Sequence, residues 1–280
     1  MTEAPPLTDR LALARNRTRA LALAAPATFL HDLAIDEVKE RLETVNRTFT
    51  DVAVVTGFPA LWQRAFPAAR VVEDAETLAL DPGAQDLVIH ALALHWANDP
   101  VGQIVQCRRA LRPDGLFLGV LFGGQTLHEL RAALAEAEAE VTGGLSPRVL
   151  PMGEIRDLGA LLQRAGLALP VADSFTQRVL YSDALRLMAD LRAMGEGNAL
   201  AQRLRHPTRR QVLLRAAQIY GATQGDGQGR VPATFEMICL TGWAPHDSQP
   251  RPLRPGSAAT RLADALNTLE RPLGKGPQDG

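Results

Sequence analysis

The sequence predicts an α/β fold: a doubly wound, mostly parallel sheet, with helices added at the N-terminus and further helices inserted before the last strand. Three observations predict it. Short, nearly continuous apolar runs at Asp51–Gly57 (DVAVVTG), Asp86–Leu94 (DLVIHALAL) and Leu116–Phe122 (LFLGVLF) have the character of strands covered on both faces. Stretches with helical spacing alternate with these runs, as parallel strands joined by crossover helices require. At 280 residues and 46% apolar, the chain can bury a large core as one domain or one domain with additions.

Taken in order, residues 1–50 read as a helical extension. Arg10, Arg15, Arg17 and Arg19 sit there among Ala and Leu, while Glu3 and Asp9 argue against an import peptide and no long apolar stretch suggests a secretory signal. After the first strand, Pro59–Phe66 forms a helix with Pro at its first position. Arg70–Glu73 (RVVE) is a short strand. From Pro100 to Leu111 the positions Ile104, Cys107 and Leu111 recur at helical spacing, and Pro113-Asp114-Gly115 turns the chain into the strand Leu116–Phe122. Leu127, Leu130, Leu134, Ala137 and Val141 mark an apolar helical stripe that Gly143-Gly144 ends. A helix through Leu158, Leu161, Leu162 and Ala165 stops at Gly166, and a strand follows at Leu169–Val171. Helices at 183–194 and 208–220 precede the strand Ala233–Trp243, and Met194-Gly195-Glu196-Gly197-Asn198 reads as a helix end followed by a loop. The α/β domain thus spans 51–245. Residues 246–280 form a Pro/Arg-rich arm, in which Ala258–Leu269 closes as a short helix.

Thirty basic and 31 acidic residues give a net charge of −1, so no global field draws the chain to nucleic acid or acidic lipid, and no nucleic-acid partner is expected. Cys107 and Cys239 form no CxxC, which leaves no disulfide framework and no cysteine-built zinc or iron–sulfur site. The six histidines, His31, His90, His95, His128, His206 and His246, show no HxD or HxE pair, so no metal site is expected. GxSxG and P-loop signatures are missing too. No run of about 18 apolar residues predicts a membrane span. The cysteine usage suggests a reducing compartment. Lys39 and Lys275 are the only lysines, an Arg and Ala bias typical of GC-rich coding, so a cytoplasmic bacterial protein is expected.

In a doubly wound sheet the ligand crevice lies beyond the carboxyl ends of the strands. Three loops converge there, carrying Gly57, His95-Trp96-Ala97-Asn98-Asp99 and Gly123-Gly124-Gln125-Thr126. Asp74-Ala75-Glu76-Thr77-Leu78, followed by DLVIHALALHW and RRALRPDGLF, resembles the class I S-adenosylmethionine-dependent methyltransferases. Further segments, ALALHWANDP, FGGQTLHELR, GGLSPRVLP, RDLGALLQRAG, LMADLRAMGEGNAL, VPATFEMICLTGW and QPRPLRPGSA, are similar to one branch: the mitochondrial complex I assembly factor and its alphaproteobacterial relatives. The resemblance covers roughly residues 30 to 260. It implies a class I methyltransferase-like fold, an arginine hydroxylase, and a respiratory complex I (NADH dehydrogenase) subunit as partner. By the same resemblance, His95 is the candidate catalytic residue. Gly57, Glu73, Asp74, Ala75, Leu92 and Trp96 are the candidates for binding S-adenosylmethionine, and Gly123, Gly124, Arg148, Glu196 and Asn198 for contacting substrate or partner.

One segment departs from this pattern. A glycine-rich turn lets unhindered backbone approach the methionine and ribose portions of the cofactor. Here the turn reads Val55-Thr56-Gly57-Phe58-Pro59, with one glycine followed by a bulky and a rigid residue. The stretch from Gly57 to Asp74 has room for one short helix and one strand, so the ribose-binding strand is shortened or lost unless Glu73 or Asp74 takes its task. Two other readings stand beside the first: S-adenosylmethionine-dependent methyl transfer to a small-molecule or protein acceptor, and a non-catalytic assembly or chaperone-like binder whose crevice is filled by Phe58, Trp62 and Phe66.

Overall fold

A computed structural model describes residues 5–250. Its first helix, α1 (Arg10–Leu21), is capped by Asp9, whose carboxylate accepts the Ala12 N–H at 3.0 Å. The second, α2 (Phe29–Thr44), buries Leu30, His31, Ala34, Ile35 and Val38 on one face. Then follow β1 (Val52–Thr56), α3 (Pro59–Ala65), β2 (Arg70–Glu73) and β3 (Gln85–Ala91). A single 3-10 turn at Leu94–Trp96 leads to α4 (Pro100–Ala110), which Asp99 caps through the Gly102 N–H at 2.8 Å. The remaining elements are β4 (Leu111–Phe122), α5 (His128–Thr142), α6 (Ile155–Arg164), β5 (Ala168–Tyr181), α7 (Ala184–Ala193), α8 (Arg210–Gln224) and β6 (Val231–Trp243).

The six strands form one sheet in the order β2-β1-β3-β4-β6-β5. From β2 to β4 every pairing is parallel, whereas β6 runs antiparallel between β4 and β5. Alternation along each strand feeds two cores. Val54, Leu118, Val120 and Phe235 face the side covered by α2, α3, α5, α7 and α8. Ala53, Val55, Phe117 and Leu240 face α4 and α6 on the other. The sheet is therefore doubly wound and mostly parallel, as the buried apolar runs predict, and α2 packs into the same core as the strands. Residues up to His246 make one unit and a second begins at Asp247, of which 247–250 are described. The expected arm and its helix at Ala258–Leu269 lie outside the described residues, apart from the first residues of the arm.

Three elements differ from the sequence expectation, each for a physical reason. The turn at Pro113-Asp114-Gly115 does not precede β4 but lies within it: Asp114 takes φ 62°, and the register against β3 shifts between Gln85 and Leu87, so the extra residues bulge out of a continuous strand. The run Asp86–Leu94 ends as a strand at Ala91, because Leu92 adopts φ 44° and turns the chain. Finally, β5 is fourteen residues long where Leu169–Val171 alone was expected. It is an edge strand with Phe175, Val179 and Tyr181 turned inward and Ser174, Thr176 and Arg178 outward, so it lacks the continuous apolar run of a strand buried on both faces.

Candidate functional site

Parallel β1, β3 and β4 bring Thr56, Ala91 and Phe122 to the same edge of the sheet, and two neighbouring places are built there. The first is the crevice at Gly57. A Cβ on this glycine would meet the Arg17 guanidinium, which α1 inserts from across the crevice. Arg17 Nη1 donates to Asp74 Oδ1 at 2.7 Å, Arg10 Nη1 donates to Asp74 Oδ2 at 3.2 Å, and Arg10 Nη2 donates to the Asp74 carbonyl. The pair is dry: the Arg17 and Asp74 side chains are 8% and 4% exposed. Burial pushes the Asp74 carboxyl up, but Arg17 first and Arg10 next pull it further down, so it stays ionised below its ordinary range. Arg17 Nε and Nη2 are buried with no partner among the described residues.

The other candidate cofactor residues are committed as well, or lie open. Ala75 gives its carbonyl to Gln103 Nε2 at 3.0 Å, and Gln103 Oε1 lies 2.7 Å from His90 Nε2. Glu73 ends β2 and is exposed. A cleft of about 430 Å³ remains along α1, and Gly57, Glu73, Asp74 and Ala75 line it together with Arg10 and Arg17. Arg17 takes the space directly over the Gly57 Cα, where the cofactor would need bare backbone, so with α1 seated the residues at this point do not fit S-adenosylmethionine. Phe58 and Trp62 pack into the core beneath, with Phe66 stacked on Trp62 at 6.0 Å; the group that reaches Gly57 is Arg17.

The second place is made by the loop after β3. Leu92 is buried in the left-handed region, a conformation costly for a leucine, and its N–H is held by the Val120 carbonyl at 2.8 Å. This turn delivers His95 and Trp96 to Glu196, which follows α7. Trp96 Nε1 donates to Glu196 Oε2 at 2.7 Å, and His95 Nε2 lies 3.4 Å from the same oxygen. The His95 ring sits 4.9 Å from that of Phe122 at the end of β4. Burial pushes the Glu196 carboxyl up, while His95, Arg17 and the Trp96 N–H pull it lower, below its usual value. Its Oε1 has no hydrogen bond among the described residues.

Glu196 and Trp96 line a cavity of about 250 Å³, otherwise walled chiefly by side chains such as Leu130, Met152, Met188 and Phe235. Arg148 and Asn198 line it too. Arg148 is also a clamp: Nε and Nη2 donate to the buried Glu138 at 3.1 and 2.5 Å, and Nη1 donates to Thr208 at 2.6 Å. Asn198 Nδ2 donates to the Pro147 carbonyl at 2.8 Å. Gly123 and Gly124 turn the chain out of β4, and a Cβ at either would meet its own neighbours, Ile238 and Glu236 for the first and Glu154 for the second. The structure thus joins Trp96, Glu196, Arg148 and Asn198 around one cavity, with His95 outside its lining but 3.4 Å from Glu196 Oε2, and sets Gly57, Asp74 and Ala75 apart beneath α1. Arg17 is the residue that sequence reasoning missed; its signal was the seven-residue spacing from Arg10, which puts both guanidinium groups on one helix face. Among the described residues no group of three His, Cys, Asp or Glu side chains is placed to hold a metal.

Residues 24–119 match a family model described as a methyltransferase domain. The mitochondrial arginine-hydroxylase NDUFAF5 of Danio rerio is 41% identical over 198 residues, covering 71% of this chain and 61% of that protein. Its Homo sapiens counterpart is 37% identical over 234 residues, 82% of this chain and 67% of that protein. The chain belongs to the NDUFAF5 family. This member spans 61% and 64% of the length of the Danio rerio and Mus musculus proteins that it matches. A malonyl-[acyl-carrier protein] O-methyltransferase of Laribacter hongkongensis is 36% identical over 177 residues, 63% of this chain and 57% of that protein. Among solved structures, the YcgJ protein of a Bacillus has a TM-score of 0.49 at 11% identity, covering 77% of this chain and 100% of that one. No helix among the described residues is long and apolar enough to cross a membrane.

Proposed function

We propose that this NDUFAF5-family chain recognises an arginine side chain on a subunit of the respiratory NADH dehydrogenase and is an arginine hydroxylase toward it, as its relatives are named, in the cytoplasm of a bacterium. The observation that carries this is the Glu196 carboxylate, 10% exposed and lining an apolar cavity. One oxygen is fixed by Trp96 and His95 and the other is open to accept an N–H. A planar guanidinium suits that arrangement: it donates to a carboxylate, stacks on an aromatic wall such as Trp96, and lays its methylene stem along Leu and Met side chains. Arg148, neutralised by Glu138, leaves the cavity without a competing unpaired cation on that wall, and the exposed Arg192 stands in water at its border. In this reading His95 orients the Glu196 carboxylate.

The test is to purify the respiratory NADH dehydrogenase from cells with and without the chain and weigh its arginine-containing peptides. One added oxygen atom, taken from molecular oxygen with the second atom leaving as water at the expense of two electrons from a donor outside this chain, present with the chain and lost in Glu196→Gln cells, is the expected result. An assembled enzyme with identical peptide masses in all three would contradict the reading, whereas failed assembly with no oxygen ever added would select the non-catalytic binder. Methyl transfer is the second reading, favoured by the family model and the malonyl-[acyl-carrier protein] O-methyltransferase relatives. It requires Gly57 to be uncovered.

A further inference from the structure

The loop Met194-Gly195-Glu196-Gly197-Asn198 reads from sequence as a helix end, yet its glycines alternate with the cavity carboxylate. Gly195, at φ +80°, has the Arg17 Cα 3.2 Å and the Phe58 ring 3.1 Å from where a Cβ would stand. Gly197 likewise has Asn16 Nδ2 at 3.1 Å, and Asn16 donates to the Gly197 carbonyl at 3.0 Å. Gly57, on the far side of the crevice, meets the guanidinium of the same Arg17. Three glycines on two different loops are thus shaped around α1, with Arg17 in contact with two of them.

The helix is also fastened ahead of its first turn. Thr8 bridges to Leu200, the Asp9 N–H donates to the Ala199 carbonyl at 2.8 Å, and the Thr8 N–H donates to Asn98 Oδ1 at 2.8 Å. The Asp9 carboxylate pairs with Arg203 at 3.0 Å and Arg205 at 2.7 Å. Ala12 and Leu13 pack with Trp96, Leu150, Ala199 and Leu200 in a small core of their own. A lid that opens at each turnover would have weak, wet attachments. These are numerous, and Thr8, Leu13, Ala199 and Leu200 among them are buried.

We propose that Arg17 is a resident occupant of the methyltransferase-type crevice, a built-in cation paired with Asp74, so that the chain works with this crevice closed to S-adenosylmethionine. The guanidinium holds the space beside Gly57 where a cofactor would need bare backbone, and the carboxylate of Asp74, a cofactor-binding candidate by the resemblance, is spent on Arg17 and Arg10.

The test titrates the full chain with S-adenosylmethionine and with S-adenosylhomocysteine by equilibrium dialysis, while hydrogen exchange follows residues 10–21. The wild-type chain is expected to show no saturable binding up to millimolar ligand and unchanged exchange in α1. Arg17→Ala, in which Arg10 still partners Asp74, is expected to bind at least tenfold more tightly than wild type. Where Arg17→Ala fails to give a melting transition, Arg17→Met keeps the stem and drops the charge, with the same expectation. Micromolar binding by the wild-type chain, faster α1 exchange on adding either ligand, or a folded Arg17 variant that gains no affinity would each overturn the proposal.

Discussion

His31 and His90 are buried, and burial first of all pushes both rings down to about 4 from an ordinary value of 6.5. His31 Nδ1 accepts the Trp62 Nε1–H at 3.1 Å, which requires that nitrogen to be unprotonated. Because the folded pKa is depressed, the unfolded chain binds more protons between pH 6.5 and 4. Stability is therefore complete above about pH 6.5 and is lost as pH falls toward 4, by on the order of 3 kcal/mol for each histidine. The lowered carboxyls of Asp74 and Glu196 act in the same direction at still lower pH. The urea midpoint is expected to drop measurably between pH 7 and pH 5, and a flat profile there would contradict the assignment. Arg148 gives a second prediction. Removing it as Arg148→Met strands the buried Glu138 carboxylate, at a cost of about 3 kcal/mol in chemical denaturation, and Glu138→Gln in the same chain recovers part of the loss. At this scale the sequence was partly legible: Glu196, Trp96 and Arg148, singled out by their motifs, line one cavity, but motif reading could not tell that Arg148 is held by Glu138 or that Asp74 is held by Arg17, since both pairings depend on contacts between separate elements.

Elements were legible where their pattern was local. The helix of Leu127, Leu130, Leu134, Ala137 and Val141 appears as α5 and ends at Gly143 in the left-handed conformation, and the buried runs became β1, β3 and β4. What stayed hidden was β5, whose polar outward residues obscure it, and the function of α1. A helix bearing four arginines reads as a solvated face, yet Arg17 is buried, because the loop at Gly195 removes side chains from its path. That closeness makes Gly195→Ala a sensitive substitution. It would force an alanine into φ +80° and press its methyl against the α1 backbone, with an expected loss of about 2 kcal/mol and faster hydrogen exchange in residues 10–21. An unchanged melting transition with unchanged exchange would show that α1 is not seated there.

At the scale of the molecule, the doubly wound sheet follows from burial on both faces, and its carboxyl edge carries two carboxylate sites, one at Asp74 and one at Glu196. One is filled by the chain's own Arg17 against Asp74; the other, at Glu196, is open and apolar-walled. A fold built around a nucleoside cofactor would in this account have turned one site inward and kept the other for a partner's arginine. The measurement that bears most directly on this division is calorimetric titration of the full chain with purified respiratory NADH dehydrogenase subunits in the absence of S-adenosylmethionine, for wild type and Glu196→Gln. The account predicts saturable binding of one subunit that Glu196→Gln weakens at least tenfold; equal affinity in both proteins, or binding that appears only when S-adenosylmethionine is added, would contradict it.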